Sequence, residues 1–391
     1  VTRLAPGVVT ALTLLVFAPP LESAFHVPKL VVLALGLVAL TPHVFRAWRR
    51  LPVPALVFLA AVSASATWND AWSAPSTTVL LLGASTLAAW HLLDVDEEAT
   101  VRVVGAALLV VCALVVLQGF GVATFGASGR MARSATLGNP DFVASAVAPL
   151  AVACLGVARR ASWKVSAPAG ALVALALAFT QSFATVTSLG AGLLFLLAHP
   201  SMQGSRRWLL AGAVVVGAVL LVGLAGRDVA TSAQGRWYLA SVVAPHVIDA
   251  PLIGLGPGAV ELHWPRWELE LWTRRCGEDA GCVARHPDFQ FTGLEAHAHD
   301  DWLEVWLEAG PLALGALLAL VVARLRDAWR SAAPFAGAAL VVIAARALVD
   351  FPLHRPADWA VLALVCALAR PRADRPVADA RRADSLKSRH D

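Results

Sequence analysis

Apolar residues fall in long runs along this chain, near positions 8–21, 30–45, 53–66, 77–93, 103–121, 142–157, 166–179, 183–198, 208–225, 311–323, 334–349 and 357–369. Runs of this kind predict about twelve membrane-spanning helices. Several are shorter than the roughly 20 residues that a spanning helix needs, so the pairs at 8–45 and 166–198 shift that count by one or two. One long polar interruption, 226–310, separates the ninth run from the tenth.

Composition changes that picture from a patterning argument to a class. With 58% hydrophobic and 15% charged residues, and a mean hydropathy of +0.68 over 391 residues, the chain has too little polar surface for a soluble globule. The expected fold is an all-α integral membrane bundle of about 12 transmembrane helices, with one large periplasmic loop containing short amphipathic helices. Charge supplies the orientation. A cytoplasmic N-terminus puts Arg46, Arg49, Arg50, Arg159, Arg160, Lys164, Arg206, Arg207, Arg324, Arg326, Arg330 and the basic tail all inside. The external turns then hold little beyond Lys29, Arg130, Arg133 and Arg355, while the loop from Asp94 to Arg102 is acidic and carries little weight in this rule. A chain that crosses its membrane many times, with both termini cytoplasmic, is implied.

Four regions follow: an N-terminal bundle over 1–225 with about nine spans, a periplasmic loop over 226–310, about three spans over 311–369, and a disordered basic cytoplasmic tail over 370–391. The first apolar run, with Ser23-Ala24 near its end, reads as an uncleaved first helix rather than a signal peptide. The net charge of +4 reflects the inside loops and tail, so nucleic acid is not an expected partner; membrane lipid is.

The loop holds six of the fourteen tryptophans, Trp237, Trp264, Trp267, Trp272, Trp302 and Trp306. Indole rings favour the headgroup level, which predicts short helices lying along the bilayer. Trp264, Trp267 and Leu271 share one helical face there, with Arg266, Glu270 and Arg274 elsewhere. Cys276 and Cys282 bracket five residues in the same loop and are candidates for a disulfide-closed turn, with two free thiols as the alternative. Cys112, Cys154 and Cys366 lie in apolar runs, where they pack.

Chemistry concentrates at His297-Ala298-His299-Asp300-Asp301-Trp302-Leu303, followed by Glu308-Ala309-Gly310. Acidic residues from Asp300 onward suit the first turn of a helix, with His299 at its mouth as a candidate general base. On that helix His299, Leu303, Trp306 and Gly310 fall near one face. His297, His299, Asp300, Asp301 and Glu304 are also potential metal ligands, but no recognised spacing completes a site and no metal is expected.

Upstream, Gly235-Arg236 precedes the turn Pro251 to Gly258, which contains Gly254, Gly256 and Gly258. An arginine beside a glycine-rich turn suits an anion, because a guanidinium offers a fork of donors and glycines let backbone N–H groups approach an oxyanion. A tight turn between surface helices is the alternative. Arg130 and Arg133, ahead of Gly138-Asn139-Pro140-Asp141, stand where the charge rule disfavours them; a bound diphosphate would offset that, and an orientation fixed by the other loops would equally suffice. Arg346 and Asp350, four residues apart, read as an ion pair within a helix.

Taken together these segments resemble the O-antigen ligase and polymerase family of bacterial envelope glycosyltransferases. The likeness lies in Gly138-Asn139-Pro140-Asp141, Gly235-Arg236 with Pro251 to Gly258, His299 to Leu303 with Glu308-Ala309-Gly310, and Asp350-Phe351-Pro352-Leu353, in that order. It is best over 130–355. Asp141 and Asp300 stand where the family often has Asn.

The resemblance implies a glycosyltransferase of the bacterial inner membrane that moves a glycan from a polyprenyl diphosphate donor to an acceptor hydroxyl at the periplasmic face, with no nucleotide, metal or other cofactor. His299 and Arg236 are its expected catalytic residues; Arg130, Arg133, Asn139, Gly254, Gly256, Gly258, Asp300 and Glu308 are expected to bind substrate. Lipid A core, a growing glycan or a protein hydroxyl all remain open as acceptor, the last making it a protein O-oligosaccharyltransferase. A transporter of bicarbonate or another small solute, and a non-catalytic scaffold, are the rival readings. A transporter favours ionisable or broken helices at mid-membrane, whereas these polar groups gather at one surface.

Overall fold

A computed structural model of the chain describes residues 3–18, 25–122, 129–225, 227–248, 250–292, 297–331 and 333–370. The Ser23-Ala24 pair and 371–391, nearly all of the expected disordered tail, lie outside them. Regular structure among the described residues is entirely helical. In chain order the α-helices are α1 Ala5–Leu15, α2 Val27–Ala47, α3 Val53–Trp68, α4 Pro75–His91, α5 Glu97–Gly119, α6 Pro140–Ala158, α7 Trp163–Thr180, α8 Phe183–Ala198, α9 Arg206–Leu224, α10 Val229–Val243, α11 Ala259–Cys276, α12 Ala280–Arg285, α13 Asp301–Arg330, α14 Pro334–Arg346 and α15 Pro356–Leu368.

Six of these segments are long and apolar enough to cross a membrane: α2, α5, α6, α7, α9 with the turn before it, and α13. That is the pattern of a multi-pass membrane protein. The expectation of about twelve spans is therefore corrected. The other apolar runs fold as α1, α3, α4, α8, α14 and α15, of 11 to 17 residues, below the roughly 20 that a bilayer requires. Proline at the first turn sets where α3, α4, α14 and α15 begin. Hydropathy alone misreads such runs, because a helix enclosed by protein is as apolar as one enclosed by lipid. α15 illustrates this: every residue from Pro356 to Ala367 is buried. It packs on α4 so closely that a Cβ on Gly83 would lie 2.2 Å from the Trp359 ring.

Two ends of the bundle can be told apart by what ties them. At one end, Arg3 pairs with Asp94 at 3.1 Å, and Arg370 donates to the carbonyls of His91 and Leu93. The first and last described residues thus share an end. At the other end, Lys29 donates to Thr136 O at 2.8 Å and Asn69 to Gly254 O at 3.4 Å, and Trp302 Nε1 donates to Ala344 O at 3.2 Å. The polar segment 226–310 caps that second end.

This segment has its own core. Tyr238, Val242 and Val243 of α10 meet Val260, Trp264, Trp267, Leu271 and Trp272 of α11, with Ala298 and Leu307 beneath. The predicted face of α11 is correct: Trp264 and Trp267 are buried while Arg266 is exposed. Its partner is not the expected one. Trp264, Trp267 and Trp272 fill the segment's own core, so the headgroup reading loses these three rings, each of which contributes on the order of 2–3 kcal/mol by burial. Cys276 and Cys282 are joined, fastening α12 back onto α11.

α13 carries the bundle into this cap. Its helical dihedrals break at Gly310 (φ 84°, ψ 168°), just ahead of Pro311 and at the boundary expected between the loop and the last spans. A Cβ on Gly310 would lie 2.0 Å from Leu252 O, so glycine is required for the backbones to meet.

Candidate functional site

α13 begins under a double N-terminal bond. Asp300 is the N-cap and accepts from the backbone N–H groups of Trp302 (3.0 Å) and Leu303 (3.1 Å). His299 precedes the cap with φ 55°, an uncommon conformation for a residue with a Cβ, so its ring projects from a turn rather than from the helix. The helical face expected for it does not form. The face that does form is acidic. Asp301, Glu304 and Glu308 follow at spacings of three and four, and all three are fully buried.

What these carboxylates surround is His354, on the short 3-10 helix Pro352–His354. Its Nδ1 lies 3.0 Å from Asp301 Oδ1, and its Nε2 lies 3.0 Å from Glu308 Oε2 and 3.5 Å from Glu304 Oε1. Burial disfavours a charged ring, but Glu304, Glu308 and Asp301 outweigh it and raise the His354 pKa well above the usual imidazole value. Backbone donors take up the remaining oxygens. Leu353 N–H donates to Asp301 at 2.7 Å, Ala298 N–H to Glu304 Oε2 at 2.9 Å, and Gly258 N–H to Glu308 Oε1 at 2.6 Å. His297 joins from the side, its Nδ1 2.8 Å from Glu304 Oε1 and its ring stacked on Phe351 at 4.2 Å. His297, Glu304 and His354 are the residues placed to hold a metal ion.

His299 stands edge-on to the other part of Phe351, at 4.8 Å. Among the described residues no hydrogen-bond partner holds its ring. Burial first, then the positive charges of Arg236 and Arg355, lower its pKa to about 4 against the opposing pull of Asp350. It is neutral near pH 7 and free to accept a proton. Asp300 is not the carboxylate that acts on it. Asp350 is, and Arg346 and Arg355 more than offset burial to hold Asp350 well below the ordinary range.

The arginines form a second group. Arg346 binds Asp350 at 2.9 and 2.7 Å, as the spacing predicts, and also reaches Thr185 at 3.0 Å and Asp141 O at 2.8 Å. Arg355 bridges Asp350 (3.3 Å) and Asp358 (2.7 Å). Outside this buried pair lie three half-buried arginines. Arg130 pairs with Asp141 at 2.7 Å and donates to Thr180 O at 3.0 Å. Arg227 lies 4.0 Å from the same carboxylate and donates to Gln181 O. Arg236 donates to Val349 O at 2.8 Å and to Ser232 Oγ at 2.8 Å. Burial and the neighbouring Arg346 and Arg130 lower the Arg236 pKa, with Asp141 and Asp350 opposing.

Arg133 sits nearby, donating to Phe179 O at 3.2 Å, its guanidinium 5.6 Å from the Phe179 ring centre. It also lines an open groove of about 510 Å³ between α7 and α9, with Leu175, Phe179, Val219 and Val222. Gln181, which holds Arg227, also lines this groove, and Thr180, which holds Arg130, is its neighbour in the chain.

The expected site residues therefore separate. His299, Arg236, Arg130 and Arg133 come to one end of the bundle, around Asp141 and Asp350. Asn139 instead caps α6, accepting from Asp141 N–H at 2.8 Å. The N–H groups of the three glycines are taken up within the fold. Gly254 donates to Pro251 O (2.8 Å), Gly256 to Glu308 O (3.0 Å) and Gly258 to the Glu308 carboxylate, so the oxyanion reading of this turn gives way to a packing one. A Cβ on Gly254 would lie 2.3 Å from Glu308 O. Glu308 is itself enclosed and fully occupied by Gly258 and His354.

Two residues escaped the sequence reading. His354 follows Asp350-Phe351-Pro352-Leu353 and had no visible partner, although three acids on one face of α13 announce a buried cation. Arg227 lies just past the apolar run 208–225, and no motif singles it out. No protein-family model matches this chain, and no curated protein does.

Proposed function

We propose that the chain is a glycosyltransferase that moves a glycan from a polyprenyl diphosphate carrier to an acceptor hydroxyl, working at the outer face of a bacterial inner membrane. One juxtaposition carries this reading: a neutral His299 in the field of half-buried Arg236, which adjoins Arg130 and Arg227 around Asp141, with an apolar groove close by that is lined by Arg133 and by Gln181, the residue that holds Arg227. An isoprenyl chain suits the groove, and a diphosphate suits guanidinium groups that are held by carbonyls and retain unused donors.

In the reaction the acceptor oxygen attacks the anomeric carbon of the glycan and gives its proton to His299. The bond from that carbon to the phosphate oxygen breaks, and the electron pair leaves on the diphosphate, whose growing charge the arginines stabilise. Attack opposite the leaving group inverts the anomeric centre. The bound diphosphate also opposes the arginine charges at His299 and so makes the ring a stronger base in the complex than in the free protein. The glycan, the acceptor class and the side of the membrane belong to this proposal.

Deleting the gene in its host and profiling carrier-linked and envelope glycans tests it. Accumulated carrier-linked polymer indicates ligation, and accumulated single repeat units indicate polymerisation. An unchanged glycan profile with altered solute uptake supports a transporter instead. In purified protein in lipid vesicles, His299→Ala is expected to insert and fold normally while losing transfer by about 100-fold or more. Full activity in that variant overturns the mechanism.

A further inference from the structure

The buried acidic face of α13 surrounds more nitrogen and oxygen ligands than a capping role requires. His297 Nδ1, Glu304 Oε1 and His354 Nε2 lie within 4.8 Å of one another, and Glu308 Oε2 lies 3.0 Å from His354 Nε2. The geometry points to a divalent transition-metal site of the zinc class, formed by His297, Glu304, His354 and Glu308, which fastens the His297–His299 segment to α13 and to the Pro352–His354 turn.

Donor type comes first. Two imidazoles and two carboxylates form a nitrogen and oxygen set that suits zinc; calcium prefers six to eight oxygens. Spacing agrees. Ligand atoms about 2.0–2.1 Å from a tetrahedral ion lie roughly 3.3 Å apart. Here three of the separations are 2.8 Å for His297–Glu304, 3.5 Å for His354–Glu304 and 3.0 Å for His354–Glu308, and the two imidazoles, within 4.8 Å, close up when an ion binds between them.

The surrounding shell orients His354 and both glutamates by hydrogen bonds, and Phe351 stacks on His297. Asp301 occupies His354 Nδ1 and so directs the Nε2 lone pair inward, as a carboxylate does behind a metal-bound histidine. Each glutamate divides its oxygens the same way. Ala298 N–H takes Glu304 Oε2 and Gly258 N–H takes Glu308 Oε1, leaving Oε1 and Oε2 respectively to face the centre. Charge gives a third reason. Asp301, Glu304 and Glu308 are all at 0% exposure, and the one imidazole between them carries at most a single positive charge, so a divalent ion supplies what the ring lacks. His297, with a side chain 22% exposed, leaves a route for the ion.

This inference stands apart from the transferase reading, since it needs neither a carrier nor a glycan and no step of the transfer passes through the ion. Its test uses the full chain in lipid nanodiscs, purified through a tag without histidines, stripped with chelator, equilibrated with Zn²⁺ and desalted. About one zinc per chain is expected to remain, with a melting temperature raised by about 3 °C or more and restored by chelator. His297→Ala, at the partly exposed position, is expected to weaken zinc binding by about 10-fold or more, and Glu304→Gln likewise where that variant folds. His299→Ala is expected to keep the zinc, so a failed transferase and a failed metal site read out separately. Less than roughly a tenth of an ion per chain in the wild type, or zinc retained equally by His297→Ala, overturns the site; a protonated His354 would then balance the acids alone.

Discussion

Two clusters of charge lie side by side at the capped end of the bundle, and they are built on opposite terms. Around His354 every group is enclosed and every oxygen of Asp301, Glu304 and Glu308 has a fixed partner. Around Arg130, Arg227 and Arg236 the groups are half-buried, and carbonyl oxygens take only part of each guanidinium. A saturated cluster, with a proton or a metal ion at its centre, holds a backbone in place, whereas an unsaturated one still has donors for a substrate. Phe351 joins them, since it touches His297 on one side and His299 on the other.

The comparison breaks first at His354. Replacing it with leucine leaves three buried carboxylates without their cation and is expected to cost about 3–5 kcal/mol, enough to lower the yield of folded protein. Size-exclusion profiles and melting temperatures in detergent check this. Arg236→Ala, in the unsaturated cluster, should leave both profiles nearly intact but cut transfer by roughly 10²–10³-fold, as loss of a transition-state donor does. Equal stability losses at the two positions would erase the distinction between the clusters.

Gly254→Ala probes how the saturated cluster is seated, where the glycine turn meets α13. With φ at 75° and a Cβ placed 2.3 Å from Glu308 O, it forces the turn off α13 and is expected to cost about 2–3 kcal/mol, read as a lower melting temperature. A merely exposed turn would accept alanine at the cost of its φ alone.

How much of this was legible depends on whether a residue's partner was near in sequence. The N-terminal acids of α13, the Arg346 and Asp350 pair, the buried face of α11 and the Cys276 and Cys282 pairing all depend on neighbours within ten residues, and periodicity found them. His354 with Asp301, 53 positions apart, and Arg227 with Asp141 depend on chain crossings that no local pattern encodes. The glycines misled for the same reason. Their positive φ values go with close neighbours distant in the chain, the α13 backbone at Gly254, Asn69 at Gly256 and Ala74 at Gly258. The span count failed because α14 and α15 are as apolar as lipid-facing helices while being enclosed by protein.

The smallest effect is the most discriminating. Asp300 stands where the resembling family often has Asn, and a carboxylate beside a catalytic histidine would alter its basicity. Its oxygen instead accepts from Trp302 and Leu303, and the carboxylate acting on His299 is Asp350. Asn caps a helix about as well as Asp, so Asp300→Asn should change stability by less than about 0.5 kcal/mol and leave transfer within about twofold, while Asp300→Ala costs about 1 kcal/mol. A tenfold loss of transfer in Asp300→Asn at unchanged melting temperature would return the carboxylate to His299 and make the residue part of the chemistry. If Asn is silent, position 300 is a helix start where either side chain serves, and the pull on His299 belongs to Asp350, held between Arg346 and Arg355.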